Sequence, residues 1–246
     1  GTRARSALML ATLRDAIAGK YQRRYGMPVD PETQLTVACG ATEATASVFL
    51  ALFDPGDEVI IFEPFYENYG PDAILCEARP VFVPLVAPDW HFDAPSLRAA
   101  ITPRTRAIVL NSPHNPTGHV FSRAELETIA AIAIEHDLLV VTDDPYEYII
   151  FEGEHICIAT IPGMAERTIT ISSLSKTFSI TGWRLGYAIA SPERTNAIRK
   201  VHDFLTVGAP APLQEAAAIG YAYPDAYYQK LSDDYRERRD FLAASV

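Results

Sequence analysis

The chain has 246 residues, 48% of them hydrophobic and 21% charged, with 13 Gly and 18 Pro scattered along it. Such a composition buries a sizeable core and excludes a disordered, collagen-like or low-complexity chain. The 21 Lys and Arg against 31 Asp and Glu leave a net charge of −10, the wrong sign for a nucleic-acid backbone. No apolar run approaches the roughly 20 residues that cross a bilayer, so neither nucleic acid nor membrane is an expected partner.

Arg3 and Arg5 ahead of a short apolar run imitate a secretory signal, but Arg14 and Asp15 interrupt it, and a cytoplasmic protein is expected. Leu10, Leu13, Ile17 and Tyr21 recur at helical spacing and predict an N-terminal helix that stops before Gly26, Pro28 and Pro31. Beyond it β-rich and helical runs alternate. Strands are predicted at 35–38, 58–62, 80–83, 107–110, 138–141 (running on to Asp143), 168–171 and 185–190. Helices are predicted from Thr42, over 66–75, and after the capping box of Ser122 and Glu125. Pro192, Pro212 and Pro224 stand where further helices begin. On the last of these Leu231, Tyr235 and Leu242 share a face, and Asp234 and Arg238 are spaced as an i,i+4 pair. The alternation implies an α/β fold with a mostly parallel, doubly wound sheet. Cys39, Cys76 and Cys157 are odd in number and far apart, so they read as core residues, with neither a disulfide framework nor a metal site. His91, His114 and His136 read as turn or surface residues, Trp90 and Phe92 as packing.

Open α/β sheets bind ligands outside the carboxyl ends of their strands. After the first strand comes Gly40-Ala41-Thr42-Glu43, whose small residues and helix start make a candidate phosphate seat, although Thr is also an ordinary helix cap. After 107–110 comes Asn111-Ser112-Pro113-His114-Asn115-Pro116-Thr117-Gly118, a rigid turn fixing Asn115 at the sheet edge. After 138–141 come Asp143 and, three residues on, Tyr146; a carboxylate ending an apolar strand is costly unless paired. The most informative stretch contains Ser173-Leu174-Ser175-Lys176 and Gly182-Trp183-Arg184. Lys176 has hydroxyl and apolar neighbours and no adjacent acid. Desolvation makes such an amine lose its charge more readily, and it can then form a Schiff base with an aldehyde.

These residues resemble the class I/II aminotransferases, fold-type-I enzymes that use pyridoxal 5'-phosphate (PLP). The resemblance runs in order through Gly40 and Glu43, Pro64 and Tyr69, Asn111 and Gly118, Asp143 and Tyr146, and Ser173 and Lys176. Within the family it is nearest to the aspartate, kynurenine and methionine aminotransferase type. It implies that Lys176 holds PLP as an internal aldimine and then moves the substrate Cα proton, with Asp143 pairing the ring nitrogen. Asn115 and Tyr146 are implied donors to the ring's phenolic oxygen, Tyr146 counting with Lys176 and Asp143 in the catalytic set. Tyr66 is the implied stacking ring. Ala41 and Thr42 through their N–H groups, Ser173, Ser175 and Arg184 are the implied phosphate ligands.

The resemblance also implies a homodimer acting on amino acid and 2-oxo acid substrates. It divides the chain into an N-terminal helix and linker (1–33), a PLP-binding large domain (34–222), and a helix (223–246) leading toward a small domain that is expected to be incomplete or absent. The family's arginine for the substrate carboxylate, and its N-terminal tyrosine for the neighbouring subunit's phosphate, have no counterpart among these residues. The same cofactor residues also suit a β-eliminating carbon–sulfur lyase or a noncatalytic PLP-binding module, and both readings stay open at this point.

Overall fold

The computed structural model describes residues 10–245, so Arg3, Arg5 and the first nine positions of the expected 1–33 segment lie outside the described residues. Helix α1 (Ala11–Tyr25) buries Leu13, Ile17 and Tyr21, each four residues after the last, on one face. It stops at Gly26, whose φ of 63° lets its own N–H turn back onto the Gln22 carbonyl and the next N–H, of Met27, onto the Tyr21 carbonyl. Strand β1 (Leu35–Ala38) then feeds α2 (Ala41–Leu52), β2 (Glu58–Glu63) feeds α3 (Tyr69–Leu75), and β3 (Arg79–Val86) follows. After β4 (His91–Phe92) and α4 (Ala94–Ala99), β5 (Thr105–Asn111) leads to α5 (Arg123–Glu135), and β6 (Leu139–Asp143) closes this half. The second half holds β7 (Thr168–Ser173), α6 (Leu174–Thr177) and β8 (Gly186–Ile189), then α7 (Pro192–Leu205), α8 (Ala211–Gly220) and α9 (Asp225–Ala243).

The eight strands form a sheet ordered β1-β8-β7-β6-β5-β2-β3-β4. Strands β3, β2, β5, β6 and β7 are parallel neighbours, whereas β8 runs antiparallel to both β7 and β1, and β4 antiparallel to β3. Alternation along the strands sends Ile61, Val109, Val141 and Ala188 to one face, against Val48 and Phe49 of α2, Ala73 of α3 and Ile198 of α7. Ile60, Ile108 and Val140 face the other side, against Leu126, Ile129 and Ala133 of α5, and Tyr187 and Ile189 meet α1 there. Both faces are covered, which is the doubly wound arrangement, and each fully buried Val, Leu or Ile contributes roughly 1.5–3 kcal/mol. The capping box of Ser122 and Glu125 opens α5, with both reciprocal bonds made.

Several local expectations are corrected. The helix expected from Tyr66 begins at Tyr69, because its i to i−4 bonding starts with the Asp72 N–H donating to the Asn68 carbonyl. Tyr66 thereby stays in the loop that faces the strand ends. Asp234 pairs with Lys230 at 2.7 Å instead of with Arg238, whose guanidinium lies over the Tyr235 ring. Leu242 is 64% exposed and takes no part in an apolar face with Leu231 and Tyr235, which are half-buried. His114 is buried, its ring 2.8 Å from the Thr117 hydroxyl. Cys76 and Cys157 are buried, but Cys39 is only half-buried, at the turn into α2. Among the described residues no helix is long and apolar enough to cross a membrane.

Candidate active site

The carboxyl ends of β1, β5, β6 and β7 converge on one cleft of about 220 Å³, reached also by the loop before α3. At β1 the chain turns through Gly40, whose φ of 88° puts it in the left-handed region, and enters α2 with its first-turn N–H groups free of helical partners. A methyl group on Gly40 would come within 2.4 Å of the Arg184 guanidinium, so that cation lies directly against the turn. On the opposite side Gly186 of β8 lets the strand approach so closely that a Cβ there would meet the Ala41 nitrogen at 2.4 Å. Two glycines thus pack a cation and a strand around one helix N-terminus.

At β5 the last residue, Asn111, works in two directions. Its Oδ1 accepts the Asn115 N–H at 2.6 Å, which fixes the turn, and its Nδ2 donates to the Asp143 carbonyl at 2.5 Å, which ties β5 to β6. Asp143 is buried, and its Oδ2 accepts the Tyr69 hydroxyl at 2.8 Å. Its Oδ1 is buried without a hydrogen-bond partner. Burial, with the nearby Asp144 charge adding and the Tyr69 bond opposing, pushes the Asp143 carboxyl up to about 7. Asp144 points away: Thr142 donates to its Oδ1 at 2.6 Å, and His155 Nε2 stands 3.5 Å from its Oδ2.

The turn after β7 supplies the remaining groups. Ser173 caps α6, accepting the Ser175 N–H at 3.0 Å, and its hydroxyl donates to the Leu185 carbonyl at 3.3 Å. Lys176 is half-buried, with Nζ 5.8 Å from the centre of the Tyr146 ring. Burial, with Asp143 next in effect, raises the Tyr146 phenol above its ordinary value, so the hydroxyl keeps its proton as a donor. Ala41, Thr42, Tyr66, Asn115, Asp143, Tyr146, Ser173, Ser175, Lys176 and Arg184, the ten residues singled out from the sequence, all line this cleft. Among the described residues no group of three or more His, Cys, Asp and Glu can hold a metal ion.

Comparison with known proteins agrees with this geometry. Residues 6–246 match the family "Aminotransferase class I and II". The chain belongs to this family. It is 46% identical over 240 residues to a probable N-succinyldiaminopimelate aminotransferase of Mycobacterium tuberculosis, covering 96% of this chain and 60% of the relative. An arginine–pyruvate transaminase of Pseudomonas aeruginosa is 39% identical over 231 residues, 94% of this chain and 58% of its own length. Among solved structures, the M. tuberculosis N-succinyldiaminopimelate aminotransferase superposes with a TM-score of 0.93 at 46% identity, over 95% of this chain and 62% of that one. An Escherichia coli protein with an identified methionine aminotransferase function gives a TM-score of 0.91 at 36% identity, over 95% of this chain and 61% of that one. The chain therefore spans about 60% of the length of the first of these relatives.

Class I and II aminotransferases use PLP, and the cleft has the features this cofactor requires. The unpartnered Asp143 oxygen awaits a cationic donor, and the helix N-terminus beside Arg184 suits a phosphate dianion. Tyr69, Asn111, Thr45, Pro145 and Thr181 also line the site and were not singled out. Asn111 carries the signal of a polar residue ending an apolar strand; Tyr69 offers only its spacing of three from Tyr66 at a helix start.

Proposed function

We propose that this chain carries the cofactor site of a PLP-dependent aminotransferase that moves an amino group between an amino acid and a 2-oxo acid. One observation carries the reading: a buried carboxylate with an unpartnered oxygen, a lysine and a helix N-terminus flanked by an arginine face the same cleft. When bound, PLP supplies an electron sink conjugated to the substrate's amino group.

The chain's own residues divide the work. Asp143 Oδ1 accepts a hydrogen bond from the protonated ring nitrogen, while Tyr69 and Asn111 hold the carboxylate and its backbone in that orientation. Asn115 and Tyr146 donate to the phenolic oxygen, and Tyr66 covers the ring face. The Ala41 and Thr42 N–H groups, Arg184, and the Ser173 and Ser175 hydroxyls hold the phosphate. For Ser173 this means exchanging its bond to the Leu185 carbonyl. Lys176 Nζ, close to the Tyr146 ring, is the base that takes the proton from the substrate Cα. Residues 34–222 make up the cofactor domain in this reading, with 1–33 and 223–246 flanking it. Assembly as a homodimer belongs to the same reading, and sizing chromatography of the protein tests it. The three free cysteines suit a cytoplasmic, reducing compartment.

The test is chemical. Protein mixed with PLP should absorb in the visible, borohydride should fix the cofactor to Lys176, and Lys176→Ala should lose both properties. Peptide mapping that finds the label on another lysine overturns the assignment. Product analysis separates the reactions: a new amino acid means transamination, pyruvate with ammonia means β-elimination.

A further inference from the structure

Behind the candidate phosphate seat lies a pair that the mechanism above does not use, a buried His202 and a half-buried Glu43. Glu43 occupies the third position of α2, one residue beyond Thr42, and its carboxylate reaches back to accept the Cys39 N–H at 3.0 Å. Gly40, the helix cap, has no side chain, so the first-turn N–H groups of α2 stay free, and the Glu43 bond instead pins the residue just before the cap, reaching back over the turn much as the acid of a capping box does. Ser47 donates to Oε1 at 2.6 Å, and His202 of α7 places Nδ1 3.0 Å from both carboxylate oxygens. An ionised carboxylate only accepts, so Nδ1 carries the proton toward it. His202 Nε2 is buried and has no partner, which leaves the Nδ1 bonds to Glu43 and the Thr206 hydroxyl as the ring's polar contacts. An acid in the first helical turn lies close to where a bound phosphate would sit; the bonds from Cys39, Ser47 and His202 offset part of its charge and keep it from swinging toward that second anion.

We propose that Glu43 and His202 are positioning residues for the cofactor phosphate. Glu43 holds the Cys39–Gly40 turn so that the first N–H groups of α2 face the phosphate, and His202 anchors and screens the Glu43 carboxylate. This rests on the PLP reading above, so the experiment separates the two. Apoprotein is titrated with PLP and, separately, with pyridoxal, which has the same ring and aldehyde but no phosphate. In His202→Ala the dissociation constant for PLP should rise roughly tenfold, the loss of part of one charge-assisted hydrogen bond. That for pyridoxal should stay at the wild-type value. His202→Asn, whose side-chain amide reaches the place of Nδ1, should restore PLP binding. Glu43→Ala, which removes the strut from the other end, should reproduce the phosphate-selective loss. Equal losses for both ligands, unchanged PLP binding in His202→Ala, or failure of folded His202→Asn to restore affinity would overturn the proposal. Wild-type protein that binds neither ligand would overturn the cofactor reading itself.

Discussion

Replacing Gly186 by Ala tests how closely β8 and the start of α2 are built around each other. A Cβ at this position would lie 2.4 Å from both the Ala41 nitrogen and the Gly40 carbonyl carbon, where ordinary contact begins at 3.4 Å, so about 1 Å of movement is required. Both obstructing atoms are backbone, so no side chain can rotate away. Strand β8 is hydrogen-bonded on both sides, Gly186 pairing with Ala38 and with Ser173, which makes the first turn of α2 the element that yields. The overpacking should cost roughly 1–3 kcal/mol of folding stability. A shift of about 1 Å also moves the Ala41 and Thr42 N–H groups out of hydrogen-bond range of a phosphate. A charge-assisted bond of this kind is worth about 1.5–3 kcal/mol, so losing one should weaken PLP roughly ten- to hundredfold. Equilibrium titration of apoprotein with PLP, alongside urea unfolding, measures both effects. A folded Gly186→Ala protein that binds PLP within about threefold of wild type would refute the claim that this backbone contact sets the phosphate seat.

Two further outcomes follow from the same geometry. Asp143→Ala should lower turnover on the order of 10²-fold more than Asp144→Ala, since only Asp143 offers an unpartnered oxygen to the cleft, and equal losses in steady-state kinetics would remove the distinction. Lys20→Met should destabilise by about 3–5 kcal/mol at neutral pH, because the Lys20 ammonium lies 2.5 Å from Glu147 with both side chains buried. Burial alone would raise the Glu147 carboxyl, but Lys20 and His155, with hydrogen bonds from Lys20 and Tyr25, hold it below the ordinary carboxylate range. A carboxyl depressed on folding contributes stability that is present above the unfolded pKa and lost as pH falls through the folded one. In the variant burial prevails, the carboxyl rises, and its protonation relieves the unpaired charge. The gap between variant and wild type should therefore narrow as pH falls through the raised value, and urea unfolding that shows a pH-independent gap would contradict this.

The sequence by itself determined the layered α/β plan and most of the site. Strand and helix periods alternate cleanly, and chemistry-bearing residues cluster in short runs after each strand, so Asn115, Asp143, Tyr146 and Lys176 are legible as neighbours once parallel strands share one end. Strand direction is not written in the same code. A run such as 185–190 buries both faces whether it runs parallel or antiparallel, and only packing between β1 and β7 makes β8 antiparallel. The tertiary structure also decided what holds the site. Tyr69 reaches Asp143 across 74 positions, His202 reaches Glu43 across 159, and Lys20 reaches Glu147 across 127. Tyr69, His202 and Lys20 each read as ordinary helical positions in sequence, because a hydrogen bond between distant elements leaves no periodicity or spacing behind. The same cause explains the misread Asp234 and Arg238 spacing: neighbours on a helix can pair in more than one way, and in α9 Asp234 meets Lys230 while Arg238 rests on Tyr235.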